Sequence, residues 1–441
     1  MEFALSHYTS KESWLRYFTY SLFAFSLISI TGVELSVTGL FLLAIYARIQ
    51  DRYSARIPLR IVAPFAAWIL VAFLSSLANP DWLGNLFTLR HQYRIFLPLA
   101  LLVSLNNVNL RRLLLVYLSL VCLISLYSWL QSQFAIDVLR MGKNHPFDIG
   151  GVSHAGQITY RARGFFIGPG ILGNHMMMTG LLFGALAIGC RDRLRAIWAL
   201  GGVMAMVGLM FSFARGPLLG TFIGILILSF QLPRRWAITL FTTGGILFLI
   251  GMILVTSGWM DKNINRFGDS AYLNRLAAAT IENAGIQMRL VMWRAGIAAI
   301  KQQPWLGYGH YNRQAAATYL PPKSPSIPWK VPVTDTGLHL HNIYLQVAYD
   351  FGILGLLAYL YIWITIFVWN GVWIFRAGKS MPFESAVLWG TSAALAGSMV
   401  DSLFHNAFFS GNTNATILIF MGLSVYVGCQ IRDALRDFGA Q

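Results

Sequence analysis

Charged residues are sparse in this chain, at 11% of 441 positions, and carboxylates are the sparser half, with 17 Asp and Glu against 33 Lys and Arg. So little charge beside 56% hydrophobic residues excludes an ordinary soluble domain, which could not bury that much apolar surface. The shortage of acids has a second consequence. The polar segments contain no D-x-D pair, no H-x-x-x-H and no dense carboxylate cluster of the kind that holds Mg²⁺ or Mn²⁺, so no metal site is expected. Cysteine is nearly absent. Cys122, Cys190 and Cys429 fall in apolar runs or at their ends, which excludes a disulfide framework. No repeat, no low-complexity tract and no interleaved basic and aromatic motif is present, so a repeat array or a nucleic-acid partner is not expected.

What the chain does have is apolar length. Runs long enough to span a bilayer, about 17 to 25 residues each, fall near 17–31, 33–47, 61–78, 95–105, 113–130, 170–189, 196–213, 217–231, 236–256, 343–374, 384–403 and 415–430. These predict an all-α integral membrane protein with about twelve transmembrane helices, the short fourth run being the one on which the orientation of all later spans depends. Loop charge supports that count. With Met1 in the cytoplasm, the short connections on that side hold Arg48, Arg52, Arg56, Arg60, Arg111, Arg112, Arg191, Arg193, Arg195, Arg234, Arg235 and Arg376, whereas the other side has Arg90, Arg94 and Arg215. Both termini are therefore expected in the cytoplasm, with no cleaved signal.

Two connections are long. Residues 131–169 carry Arg140, Lys143, Arg161 and Arg163 among Gly and Pro. Residues 257–340 are long enough for structure of their own, a helical periplasmic loop domain between an N-terminal bundle at 1–256 and C-terminal helices at 341–441. There, Asp269 and Ser270 can cap a helix to about Ile281, and a second helix is predicted over Ile286–Gln302, stopped by Pro304. Its apolar stripe is read as Ile286, Leu290, Trp293, Ile297 and Ile300, flanked by Arg289 and Arg294, so that it can lie on the bilayer. Pro321, Pro322, Pro325, Pro328 and Pro332 then break the path to His341.

Several groups fall on the outer side. Arg161 and Arg163 precede the Gly168-Pro169-Gly170 turn into a span, and Arg215 lies between two apolar runs with almost no loop. Lipid headgroups are the plain alternative for each, and a solvated helix edge is the alternative for Arg289. Collectively these arginines suit a lipid-linked diphosphate, whose oxygens guanidinium binds with bidentate, charge-assisted bonds. His341, with His339 and Asn342 beside it as expected substrate- or diphosphate-binding groups, sits where the long loop meets a span. An imidazole there can act as general base near neutral pH, or be an ordinary hydrogen bonder. Asp401 and His405, spaced i, i+4 near another outer end, can orient an acceptor or pair with an arginine. His175 begins a span, while His145, His154 and His310 have no assignable partner.

The segment from His341 resembles the O-antigen ligase motif: His, then Asn, nine residues, Gly352, two residues and Gly355. Arg161-x-x-Gly164 before Pro169, Ser212-x-x-Arg215-Gly216, and Arg289-x-x-x-Trp293 before Pro304-Trp305-Leu306-Gly307 match that family's arginine signatures. The resemblance spans roughly 157–355, and it departs where relatives often have Asn-Pro-Asn and this chain has Gly168-Pro169-Gly170, with Asn174 nearby. It implies a GT-C-like glycosyltransferase at the periplasmic face of a Gram-negative inner membrane, moving glycan from undecaprenyl diphosphate to lipid A-core. No metal, ATP or other cofactor is implied, and membrane lipids are the remaining partners. By the same resemblance His341 is the base, and Arg215 and Arg289 contact the donor. An O-antigen polymerase and a protein O-oligosaccharyltransferase share these features. A lipid-linked glycan transporter is the reading of another class, but it should carry charge at the midplane of several spans.

Overall fold

The computed structural model describes residues 2–49, 58–138, 147, 149–152, 158–256, 284–310, 314–320, 339–378, 380–405 and 411–439. Its helices are α1 (Glu2–Ile28), α2 (Ile30–Ile49), α3 (Leu59–Leu77), α4 (Trp82–Leu89), α5 (Leu97–Ser104), α6 (Leu110–Phe134), α7 (Pro169–Gly189), α8 (Arg195–Ser212), α9 (Arg215–Ser229) and α10 (Arg234–Thr256). They continue with α11 (Ala284–Gln302), α12 (Gln314–Ala317), α13 (Ile343–Ala377), α14 (Pro382–Asp401) and α15 (Gly411–Gly439). Each of the twelve apolar runs falls on a helix. Among the described residues seven helical stretches are long and apolar enough to cross a membrane: Ile30–Ala47, Leu59–Leu77, Leu110–Phe134, Pro169–Gly189, Arg195–Ser212, Ile343–Ala377 and Thr413–Asp437. The chain is an all-α membrane protein. α9 is apolar but shorter, at 15 residues. α14 carries Glu384 and Asp401 and is diluted by Ser, Thr and Gly. The fourth run forms only the 8-residue α5. The 3₁₀ turns Arg90–Phe96 and Leu105–Asn107 flank it, and together the three pieces rise about 30 Å, the depth of a bilayer core.

The centre of the bundle is α7, packed against α8, α9 and α14. Lipid offers little hydrophobic drive for helix association, so close backbone approach has to supply it. A side chain at Gly220 or at Gly397 would run into the backbone of the other, so α9 and α14 meet main chain to main chain. Asn370 adds polar tethers across helices, donating to Ser392 Oγ at 2.9 Å and Ser424 Oγ at 3.0 Å. All three cysteines are free.

The connection at 131–169 contains an element that the sequence reading missed, an antiparallel hairpin of β1 (Ile149–Val152) and β2 (Ile158–Tyr160). Its Gly-rich, polar sequence carries no clear period-two pattern. In the 257–340 connection, α11 begins at Ala284 and ends at Gln302, close to expectation. The expected helix ending near Ile281 and the proline arm lie outside the described residues, as do His145 and His154. The expected stripe on α11 needs correction. Met292, Ala295 and Ala299 are the buried positions, and Ile297 is 42% exposed. Small residues win that face because Leu340 packs directly over Gly296, a contact a larger side chain would block.

α13 is two helices. Gly352 adopts φ 70°, ψ −172°, a region open essentially to glycine alone. The break removes the helical bonds from Ile353 N–H and Leu354 N–H to the Tyr349 and Asp350 carbonyls. The segment 304–309 replaces them: Ile353 N donates to Pro304 O at 2.7 Å, Leu354 N to Trp305 O at 3.4 Å, Tyr308 N to Tyr349 O at 3.0 Å and Gly309 N to Asp350 O at 2.8 Å. Any side chain at 352 would collide with the Trp305 carbonyl. The ligase-like spacing thus has a mechanical basis. Nine residues make the first arm of α13, about 13 Å long, with His341 at one end and the docking break at the other.

Candidate active site

α7 starts, α8 ends, α9 starts, α13 starts and α14 ends at one face of the bundle, because these helices alternate in direction. The opposite face holds arginine links such as Arg111 Nη1 to Asp192 Oδ2 at 2.8 Å. His341 stands on the first face with φ +50°, a left-handed backbone that costs an ordinary residue about 1–2 kcal/mol. Neighbours hold that turn from both sides. Trp293 Nε1 donates to Leu340 O at 2.8 Å, and Leu340 N donates to Gln346 Oε1 at 3.1 Å. Ile343 N donates to Ser402 O at 2.9 Å, and the Asn342 side chain caps α13 by accepting from Leu345 N at 3.1 Å. Asn342 is therefore a helix cap that fixes where His341 leaves the backbone.

Burial lowers the pKa of His341 to about 4, aided by Arg289, His405 and His339. The expectation of an imidazole titrating near neutral pH is corrected accordingly: desolvation and nearby positive charge both disfavour the imidazolium. Burial also lowers the pKa of Arg289, and Asp401 raises it. Arg289, His405 and His339 therefore lie within electrostatic reach of His341, and Asp401 within reach of Arg289. Arg289 and Trp293 are one turn apart on α11, so a single helix face supplies both a cation and the bond that steadies Leu340.

Asp401 is buried and accepts from Asn174 Nδ2 at 2.8 Å and, through its other oxygen, pairs with His405 Nδ1 at 2.8 Å. The other ring nitrogen of His405, Nε2, faces Gly170. A Cβ at Gly170 would lie 3.0 Å from that Nε2. A side chain at Gly216 would collide with the Asp401 carboxylate. The Gly168-Pro169-Gly170 turn and the Arg215-Gly216 turn thus close in on the same Asp–His pair. Arg215 opens α9, two residues after Phe213 ends α8 at φ +51°.

Arg161 joins this group through the same turn, its Nε lying 3.4 Å from Ser212 O. Arg163 points elsewhere. It pairs with Asp137 at 3.5 Å and covers the Phe147 ring at 4.5 Å. Its backbone is clamped by Gln131, whose Oε1 accepts from Arg163 N at 3.0 Å and Gly164 N at 2.8 Å. His175 Nδ1 donates to Ile171 O at 2.9 Å and its Nε2 lies 2.7 Å from the Thr416 hydroxyl, a satisfied interior histidine. His310, which had no assignable partner in the sequence, faces Asp350 and Gln92. Asp350 escaped the sequence reading, although a carboxylate inside an apolar span is a signal that could have found it. Among the described residues no group of three or more His, Cys, Asp or Glu is placed to hold a metal ion.

Residues 180–360 match the family model described as O-antigen ligase. Over this segment the chain is similar to the O-antigen ligase family. The match takes in the Arg215 turn, Arg289 and the His341-to-Gly355 stretch, whereas Asn174, Asp401 and His405 come from outside it. This similarity indicates an enzyme of the O-antigen ligase and polymerase type, which implies lipid-linked glycan and membrane lipid as substrates. No curated protein matches the chain.

Proposed function

We propose that this protein ligates O-antigen, transferring glycan from undecaprenyl diphosphate onto a hydroxyl of lipid A-core at the periplasmic face of the inner membrane. The observation that carries the reading is one half-buried imidazole, His341, sharing a helix-end cluster with Arg289 and the Asp401–His405 pair. His341 removes the proton from the acceptor hydroxyl. The hydroxyl oxygen bonds to the anomeric carbon as the bond from that carbon to the diphosphate breaks, inverting the centre. The electron pair leaves with the lipid diphosphate, where Arg289, Arg215 and Arg161 meet the developing charge. His339 extends the cationic lining, and Asp401 with His405 receives the acceptor.

The low basicity of His341 fits such a cycle. Burial is the larger cause of its depression, but Arg289 is the second. A diphosphate bound at Arg289 offsets that positive charge and raises the basicity of His341, so the base becomes effective when donor is present. A diphosphate is a good leaving group, so the reaction needs no protein acid and, on this reading, no metal, ATP or other cofactor.

The test supplies purified protein with undecaprenyl diphosphate glycan and lipid A-core in EDTA. Glycan on the core supports ligation. Extension on the carrier would assign polymerase activity instead, and no product with either acceptor would favour transport. Activity that EDTA abolishes and Mg²⁺ restores would overturn the metal-free route.

A further inference from the structure

Beneath the His341 turn runs a chain of buried polar side chains that the reaction above does not use. Trp68, Gln92, His310, Gln346 and Asp350 are each at most 7% exposed. The hydrogen-bond sense of the chain can be followed from its ends. Trp68 Nε1 can only donate, and it donates to Gln92 Oε1 at 3.3 Å. Gln92 then presents its amide NH₂ to His310 Nε2 at 3.3 Å, which leaves the His310 Nδ1 proton facing Asp350 Oδ2 at 3.4 Å. From the other end, the Leu340 N–H can only donate, and it donates to Gln346 Oε1 at 3.1 Å. Gln346 Nε2 consequently donates to Asp350 Oδ1 at 2.8 Å. Two donor-only ends converge on one centre that must accept from both sides. Asp350 is the acceptor-only group at that centre.

We propose that Asp350 is a positioning residue for His341. By accepting from Gln346 Nε2 it dictates which end of the Gln346 amide faces Leu340. That amide orientation holds the Leu340 peptide, and with it the left-handed turn from which the imidazole projects. His310, contacted by Gln92, faces the far carboxylate oxygen at 3.4 Å, a looser contact than a full hydrogen bond, and the link runs on through Gln92 to Trp68 of α3. The inference rests on the reading of His341 as base, and its test separates the two.

Asp350→Asn presents an amide NH₂ to the His310 Nδ1 proton, or else swings its own amide and opposes NH₂ to the NH₂ of Gln346. Gln346→Glu sets two carboxylates against each other. The combined Gln346→Glu, Asp350→Asn swap restores the sense of every bond in the chain. The carboxylate then at position 346 accepts from Leu340 N–H and from the new amide NH₂ at position 350, whose carbonyl accepts from His310. The full chain in lipid nanodiscs is assayed for kcat and for KM of undecaprenyl diphosphate glycan, with thermal melting followed in parallel. Carbethoxylation of His341 by diethyl pyrocarbonate, read by mass spectrometry, reports imidazole placement without turnover.

Each single variant is expected to lower kcat by ~10- to 100-fold, the effect of a misplaced catalytic group, with donor KM unchanged and an altered His341 labelling rate. The swap is expected to return both kcat and labelling close to wild type. Single variants that melt normally and turn over normally would overturn the proposal. So would a swap that folds but is no more active than the singles, and the swap decides the matter if the singles fail to fold. Turnover by His341→Ala would remove the base reading alone, since the labelling rates still report whether Asp350 places the imidazole.

Discussion

Acidification should leave His341 neutral long after an ordinary histidine has charged. Its pKa is lowered from 6.5 to about 4, a difference of about 2.5 units or roughly 3 kcal/mol at 1.36 kcal/mol per unit. At pH 5.5 an unperturbed histidine is about nine-tenths protonated, whereas His341 should be only a few per cent protonated. Diethyl pyrocarbonate reacts with neutral imidazole, so the labelling rate of His341 against pH reads this directly. Arg289→Gln removes the second of the stated causes and leaves burial, His405 and His339 in place, so the apparent pKa should rise above 4 yet stay below 6.5. Undecaprenyl diphosphate should move it in the same direction, and the acid limb of kcat should then lie at higher pH than that of kcat/KM. The linked effect on stability has a definite sign. The folded state binds fewer protons than the unfolded chain between about pH 4 and 6.5, so stability is present above that window and declines as pH falls through it. A wild-type labelling midpoint near 6.5, or an Arg289→Gln midpoint that does not rise, would refute the electrostatic account of the site.

Gly352→Ala should lower thermal stability by at least about 1–3 kcal/mol from backbone strain alone, and an unchanged melting curve would show that the docking of 304–309 is not what holds the break. Gly216→Val should displace the Asp401 carboxylate that it faces, cutting turnover on lipid A-core; full activity in that variant would remove Asp401 and His405 from the acceptor side. Arg163→Gln should destabilise the protein by roughly 3 kcal/mol through the loss of the cation opposite Asp137, which still accepts from the Tyr127 hydroxyl, while leaving donor KM in place, and a raised donor KM would return Arg163 to the diphosphate site.

Much of the site was legible because its parts are marked by chemistry that an apolar chain otherwise avoids. Arg215 between two apolar runs and His341 at the edge of another stood out for that reason, and Asp401 with His405 stood out by helical spacing. Position on the far face was harder. Arg163 looks equivalent to Arg161 two residues earlier, yet the chain turns one toward the Ser212 turn and the other toward Asp137. The α11 stripe misled because bulk was taken as the mark of the buried face, while Gly296 and its alanine neighbours are what let Leu340 come close.

By itself the sequence determined that the chain lives in a bilayer as a bundle of helices, since only such helices can bury this much apolar surface while satisfying their own backbones. It also determined which rare polar groups were candidates for chemistry. Tertiary structure alone decided which of them meet. Asp350 and His310 are forty residues apart, and Trp68 is far from both, but a broken helix and its docked strand of backbone bring them under His341. Spacing along a chain records local periodicity, and it holds no record of which helix ends a folded bundle will gather on one face.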